Sequence, residues 1–196
     1  MQPTILKHPK ANKTSAAVNP WFLRIFLGLC LMLTAPPDLH ALSLGKTYLT
    51  RYADIFYANE QDLHTFTRNI GSGIRFLTES PEKDPLLARN RVDRIVDLVG
   101  RLLDMRPPSL HFRIELYRTQ GELDGIYHGH GMMGSAPPAF YSHTTRTITV
   151  ALDTITDRIL AHEIAHAVIC FYFGTPPPAR TQEVLAQYVD KHLDEE

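Results

Sequence analysis

The sequence predicts an α+β fold, on three observations. Segments with strand-like character recur at residues 46–58, 111–117 and 139–152; apolar residues at helical spacing fill the stretches between; and from about Thr156 onward the pattern is wholly helical. The chain has 196 residues, 44% of them hydrophobic and 21% charged, which suits one ordinary globular domain. Its formal charge is −1, with no Lys/Arg run and no glycine-rich phosphate loop, and this excludes a general nucleic-acid binder. Ten histidines, about twice an ordinary share, are the compositional feature to explain.

Residues 1–41 read as a secretory signal peptide. Lys7, Lys10, Lys13 and Arg24 precede an apolar run at residues 25–33, prolines 36 and 37 break it, and Ala41 offers a small residue for cleavage. The run falls well short of the ~20 residues a membrane-spanning helix needs. Leu29 stands before Cys30 where a lipoprotein site wants a small residue. Removal of this segment takes four bases and one acid, leaving an exported, periplasmic or extracellular domain over residues 42–196 with a charge of −4 and no stable membrane span. Cys170 is then the one cysteine left, so neither an internal disulfide nor a thiolate metal cage is available, and the thiol is expected to be buried and inert.

The elements follow in order. Residues 46–58 carry Tyr48, Leu49, Tyr52, Ile55, Phe56 and Tyr57 and predict a strand; Leu63, Phe66, Ile70, Ile74 and Leu77 predict a helix over 61–77. Prolines 81 and 85 punctuate the chain. An amphipathic helix over 86–105 sets Val92, Ile95, Val96, Val99, Leu102 and Leu103 against Arg89, Arg91, Asp93, Arg94, Asp97 and Arg101. Phe112, Ile114 and Leu116 alternate with polar neighbours as a half-buried strand does, and a short helix follows over 119–127. Residues 128–134 predict a glycine-rich loop, with Met132 and Met133 as a lip or loop tip, and residues 139–141 and 147–152 predict a hairpin. A helix runs from about Thr156 to Phe173, stopped by Gly174; prolines 176–178 form a stiff spacer, and a last helix spans 181–192.

The chemistry concentrates in the penultimate helix. His162 and His166, four residues apart, project about 40° from each other and can bind one metal ion together, with Glu163 beside a metal-bound water. The helix around them is apolar nearly all round, so the pair lies either in the core or at the floor of a cleft. Zinc needs a third protein ligand. The last helix offers Glu183, since the sixteen residues after His166 contain a helix end, a glycine, a proline-stiffened turn and a helix start, the path needed to bring a second helix back across the first; the alternative is a solvated helix residue.

His162, Glu163 and His166, followed by Glu183, Ala186 and Tyr188, resemble the gluzincin metallopeptidases, most of all the bacterial peptidase MA-like group, whose motif is shared with the thermolysin and membrane-alanyl-aminopeptidase families. The resemblance is specific over about residues 138–190 and implies a small zincin-like domain with a mixed sheet, in which an active-site helix is followed by a second ligand-bearing helix. It implies one zinc ion held by His162, His166 and Glu183, with Glu163 as general base. Thr147 to Val150 resembles the strand leading to the site, and Ala139 to Tyr141 the edge strand along which a substrate backbone pairs, so that Ala139 and Tyr141 are candidate substrate-binding residues. Two departures stand out: Val184 replaces a glycine common after the third ligand, and Gln187 stands where thermolysin-like proteins place an aspartate that orients a ligand.

The implied function is an exported zinc peptidase acting on peptide or protein substrates. The alternative is a catalytically inactive zinc-binding relative serving as a binding module in the cell envelope; the intact Glu163 favours the enzyme. Tyr188 is a candidate for steadying the oxyanion, with Tyr127, His128, His130 and His143 as others. His128 and His130 also form a weaker candidate for a second metal site.

Overall fold

A computed structural model describes residues 44–71 and 86–195. The signal segment, prolines 81 and 85, and Ile74 and Leu77 lie outside the described residues. The fold is α+β, with a mixed five-stranded sheet and five helices among the described residues. In chain order the elements are β1 (Lys46–Leu49), β2 (Ala53–Tyr57), α1 (Glu60–Asn69), α2 (Leu86–Leu102), β3 (Phe112–Tyr117), α3 (Gln120–Gly129), β4 (Ala139–Ser142), β5 (Thr147–Ala151), α4 (Asp157–Phe173) and α5 (Ala179–His192).

The strands lie in the order β1-β2-β3-β5-β4. The central three run parallel, with Ile55 opposite Ile114 and Ile114 opposite Ile148. Both edges are antiparallel: β1 pairs with β2, and β4 with β5, Tyr141 facing Ile148. The period of two divides the sheet by face. Ala53, Ile55, Phe112, Ile114, Leu116, Ile148, Val150 and Ala139 join the main core with α1, α2 and α4, whereas Tyr117, Ala151 and the half-buried Phe140 pack with Leu123 of α3 in a smaller cluster.

Four sequence expectations change. The segment 46–58 is two strands rather than one, because the Thr50 hydroxyl accepts from the amides of Tyr52 and Ala53 and turns the chain back on itself. The first helix ends at Asn69. At its other end Asn59 and Asp62 form a reciprocal capping box that fixes the start one residue early, at Glu60. Arg91, placed on the polar face of α2 by its periodicity, is buried at 3% exposure and donates to the Thr67 carbonyl, tying α2 to the end of α1. The loop expected over 128–134 also shortens, since α3 runs through His128 and Gly129.

Helix α4 is set by its ends. The Thr156 side chain accepts from the Ile159 amide, and Gly174 closes the helix with φ +69°, a left-handed value that glycine adopts without a Cβ clash. Between them Leu160, Ala161, Ile164, Ala165, Ala167, Val168 and Ile169 are all fully enclosed. A helix buried on so many sides holds its few polar side chains in fixed positions. Among the described residues no helix is long and apolar enough to cross a membrane.

Candidate metal centre

His162 and His166 project from one face of α4 with their rings tilted 71° and centroids 4.9 Å apart. Their Nε2 atoms lie 3.2 Å from each other. Helix α5 crosses that face. Its Glu183 brings Oε2 to 3.7 Å from His162 Nε2 and 3.8 Å from His166 Nε2. One ligand atom from each of the three lies within 4.8 Å of the others.

This donor set fits zinc. Two nitrogens each about 2.05 Å from a tetrahedral ion stand about 3.3 Å apart, so the two imidazoles are already at ligand spacing, and the carboxylate needs only a small closing movement. Two neutral imidazoles and one carboxylate, with a fourth position open, is the composition of catalytic zinc sites. Burial pushes the His166 pKa down, and the neighbouring His162 adds to the effect, which favours the neutral ring that a metal requires.

The crossing of α5 over α4 is held at both ends. Near the start, Cys170 Sγ donates to Gln182 Oε1 at 3.5 Å, while Gln182 Nε2 donates to the Pro177 carbonyl at 2.7 Å and so closes the proline turn onto the helix. Near the finish, Arg158 donates to the Asp190 carbonyl and to Asp194 Oδ2. Ala186 and Val189 fill the interface between. Glu183 lies one turn before Ala186 on the same side of α5, which is why an exposed glutamate still faces the histidines.

Two residues orient the candidate ligands, and sequence patterning singled out neither for that task. His162 Nδ1 is 2.9 Å from Asp190 Oδ2, which assigns the ring proton to Nδ1 and leaves Nε2 with its lone pair toward Glu183. Gln187 Nε2 donates to Glu183 Oε1 at 2.8 Å, leaving Oε2 for the histidines. Gln187 thus meets Glu183 rather than a histidine, and the aspartate that meets a histidine is Asp190, two turns beyond Glu183. That spacing of seven was the available signal, since it returns to the same helix face.

Glu163 is 9% exposed, and this burial pushes its pKa up to about 7. Its Oε2 accepts from the Tyr141 amide at 2.8 Å. Ala151 N–H donates to the Pro138 carbonyl, so alternation along β4 turns the Tyr141 amide away from β5 toward α4. The edge strand thus touches the centre directly. Ala139 lies on the same strand but is enclosed at 1% exposure.

The other sequence candidates lie elsewhere, apart from His143, which lines a cavity with Tyr141 and Cys170. Tyr188 is 45% exposed with its ring 4.3 Å from that of His192, and nothing brings it to the three ligands. A tyrosine five residues after Glu183 is turned about 140° around the helix, which removes it from the oxyanion role. Tyr127 packs edge-on against Phe140, and His128 Nε2 pairs with the Gly134 carbonyl at 2.7 Å. His128 and His130 form no three-residue ligand group among the described residues. Cys170 is buried with its thiol pKa raised by that burial, as expected of an inert thiol. Met132 and Met133 form an exposed tip. No protein family, characterised protein or solved structure matches the chain.

Proposed function

We propose that the protein is an exported zinc-dependent peptidase that hydrolyses peptide bonds with water, using His162, His166 and Glu183 to hold one zinc ion and Glu163 as general base. The observation that supports it most is the convergence of the three ligand atoms within 4.8 Å beside a desolvated carboxylate on the same helix. A zinc ion held by these three residues would lower the pKa of a water molecule and polarise a carbonyl.

The chain's own groups supply the rest. Glu163, desolvated and placed on the same helix beside the histidines, is positioned to take a proton from water and return it to a leaving amine. The Tyr141 amide engages Oε2 and so directs Oε1 to the water. Strand β4 is an edge of the sheet beside Glu163; with the Tyr141 amide held by Oε2, the Tyr141 carbonyl is the group left for main-chain pairing with an extended peptide lying past the base. Ala139, being enclosed, contributes packing to that strand rather than an open pairing site.

The test is metal content and peptide cleavage by the protein without residues 1–41. Wild type is expected to hold one zinc per chain and cleave; Glu163→Gln to hold zinc without turnover; Glu183→Ala to lose zinc affinity. A wild type that takes up no zinc rejects the reading outright. Zinc bound with no cleavage across a broad peptide library replaces it by that of a binding module in the cell envelope.

A further inference from the structure

A cavity of about 220 Å³ is lined by Ser109, Tyr141, His143, Arg146, Cys170 and Phe171. It adjoins the candidate metal centre on two walls. Cys170 stands one turn beyond His166 on α4, and Tyr141 is the residue whose amide binds Glu163. One helical turn is about 5.4 Å, and an extended peptide advances about 3.3 Å per residue. A peptide lying along β4 with its reacting bond at Glu163 therefore carries a side chain within one or two residues past this cavity.

The lining has a one-sided chemistry. It contains no carboxylate. The Arg146 guanidinium lies 5.0 Å from the centroid of the Phe171 ring, which holds it over an apolar floor without spending its charge on an acid. Arg146 sits in the β4–β5 turn at φ +53°, so the turn itself aims the residue. The Tyr141 hydroxyl is enclosed behind the cavity wall, with no hydrogen-bond partner among the described residues. Burial raises its pKa to about 12, so it keeps its proton. An arginine with no acidic partner among the described residues, beside the Ser109 and His143 side chains, is the complement of a carboxylate, and a charge-assisted hydrogen bond to guanidinium is among the stronger polar contacts available.

Resting on the peptidase reading of the adjoining centre, we infer that this cavity is a specificity pocket that receives an acidic side chain of the substrate peptide, with Arg146 as the residue that selects it. The chemistry recognised is a carboxylate carried on an extended chain. A glutamine of the same shape offers no charge and is discriminated against.

The test uses fluorescein-labelled nonapeptides carrying a single Glu at each position in turn, and their Gln counterparts, titrated by anisotropy against Glu163→Gln protein in the presence of zinc. At one position Glu is expected to bind about tenfold more tightly than Gln. Adding Arg146→Asn, chosen because asparagine tolerates the left-handed backbone at this position, erases that ratio, and Arg146→Lys retains part of it. Equal affinities for Glu and Gln peptides at every position, or a preference that survives Arg146→Asn, overturn the assignment. The same peptides offered to wild type separate the two readings. Glu-selective binding without cleavage rejects the peptidase and leaves the pocket standing, whereas cleavage indifferent to Glu or Gln at every position does the reverse.

Discussion

Asp190 Oδ2 lies 2.9 Å from Nδ1 of His162, across the contact between the last two helices. The pair fixes the imidazole by its far nitrogen, so that the near one faces Glu183 and His166. Its other oxygen, Oδ1, is buried and unpartnered, so the aspartate has no competing task among the described residues. Replacement by alanine is expected to lower zinc affinity by about 10- to 100-fold, read by competition with a chelator. Unchanged affinity would show that the ring is held by its helix alone.

Gln187 acts on Glu183, the proposed third ligand, in the same way, through a 2.8 Å bond to Oε1, but at an exposed position where water replaces it. Gln187→Ala is therefore expected to weaken zinc binding severalfold, well short of the loss from Glu183→Ala. The two variants ranked in the opposite order by the same competition assay would reject the assignment of Glu183 as ligand and Gln187 as its support.

Zinc should also stabilise the fold, because its ligands come from two helices that the unfolded chain does not hold together. At free zinc a hundredfold above Kd the gain is about 2.7 kcal/mol, or roughly 5 to 10 °C in Tm for a domain of this size. Differential scanning calorimetry with and without chelator measures it, and the double variant His162→Ala with His166→Ala should show no zinc-dependent rise. A rise that persists there places the metal elsewhere.

Gly174 ends the helix that carries both histidines, at φ +69° and with open space around the position where a Cβ would stand. An alanine meets no neighbour, so its cost is that of the backbone conformation alone, about 1 to 2 kcal/mol. Urea unfolding of Gly174→Ala should show this loss with an unchanged slope. A neutral result would mean that the helix end relaxes freely and that the proline turn, rather than the glycine, sets the path to α5.

Much of the fold was legible in the residues because periodicity is a local property. The apolar ring around α4, with Thr156 before it and Gly174 after it, is read directly from one stretch of chain, and Phe112, Ile114 and Leu116 mark β3 by alternation alone. The break in residues 46–58 was not legible in this way: it depends on one threonine hydroxyl accepting from two amides, and aromatic residues on both sides keep the strand-like pattern running through the turn. Arg91 was misplaced for a related reason. Its position on the helical wheel is polar, but its burial is decided by Thr67 on another helix.

The sequence by itself determined the pair of histidines, their separation on one helix face and the presence of a carboxylate between them, because an α-helix converts a spacing of four into proximity without help from the rest of the chain. It also suggested a glutamate downstream. Only the tertiary structure decided which groups orient that set, since Asp190 and Gln187 act across a helix crossing whose angle is held by Arg158, Gln182, Ala186 and Val189 together. It likewise decided that Tyr188 stands outside and that Tyr141 joins the base by its amide and the Arg146 cavity by its side chain. Contacts between elements depend on how far and at what angle two helices and a strand approach one another, and no local spacing encodes that distance.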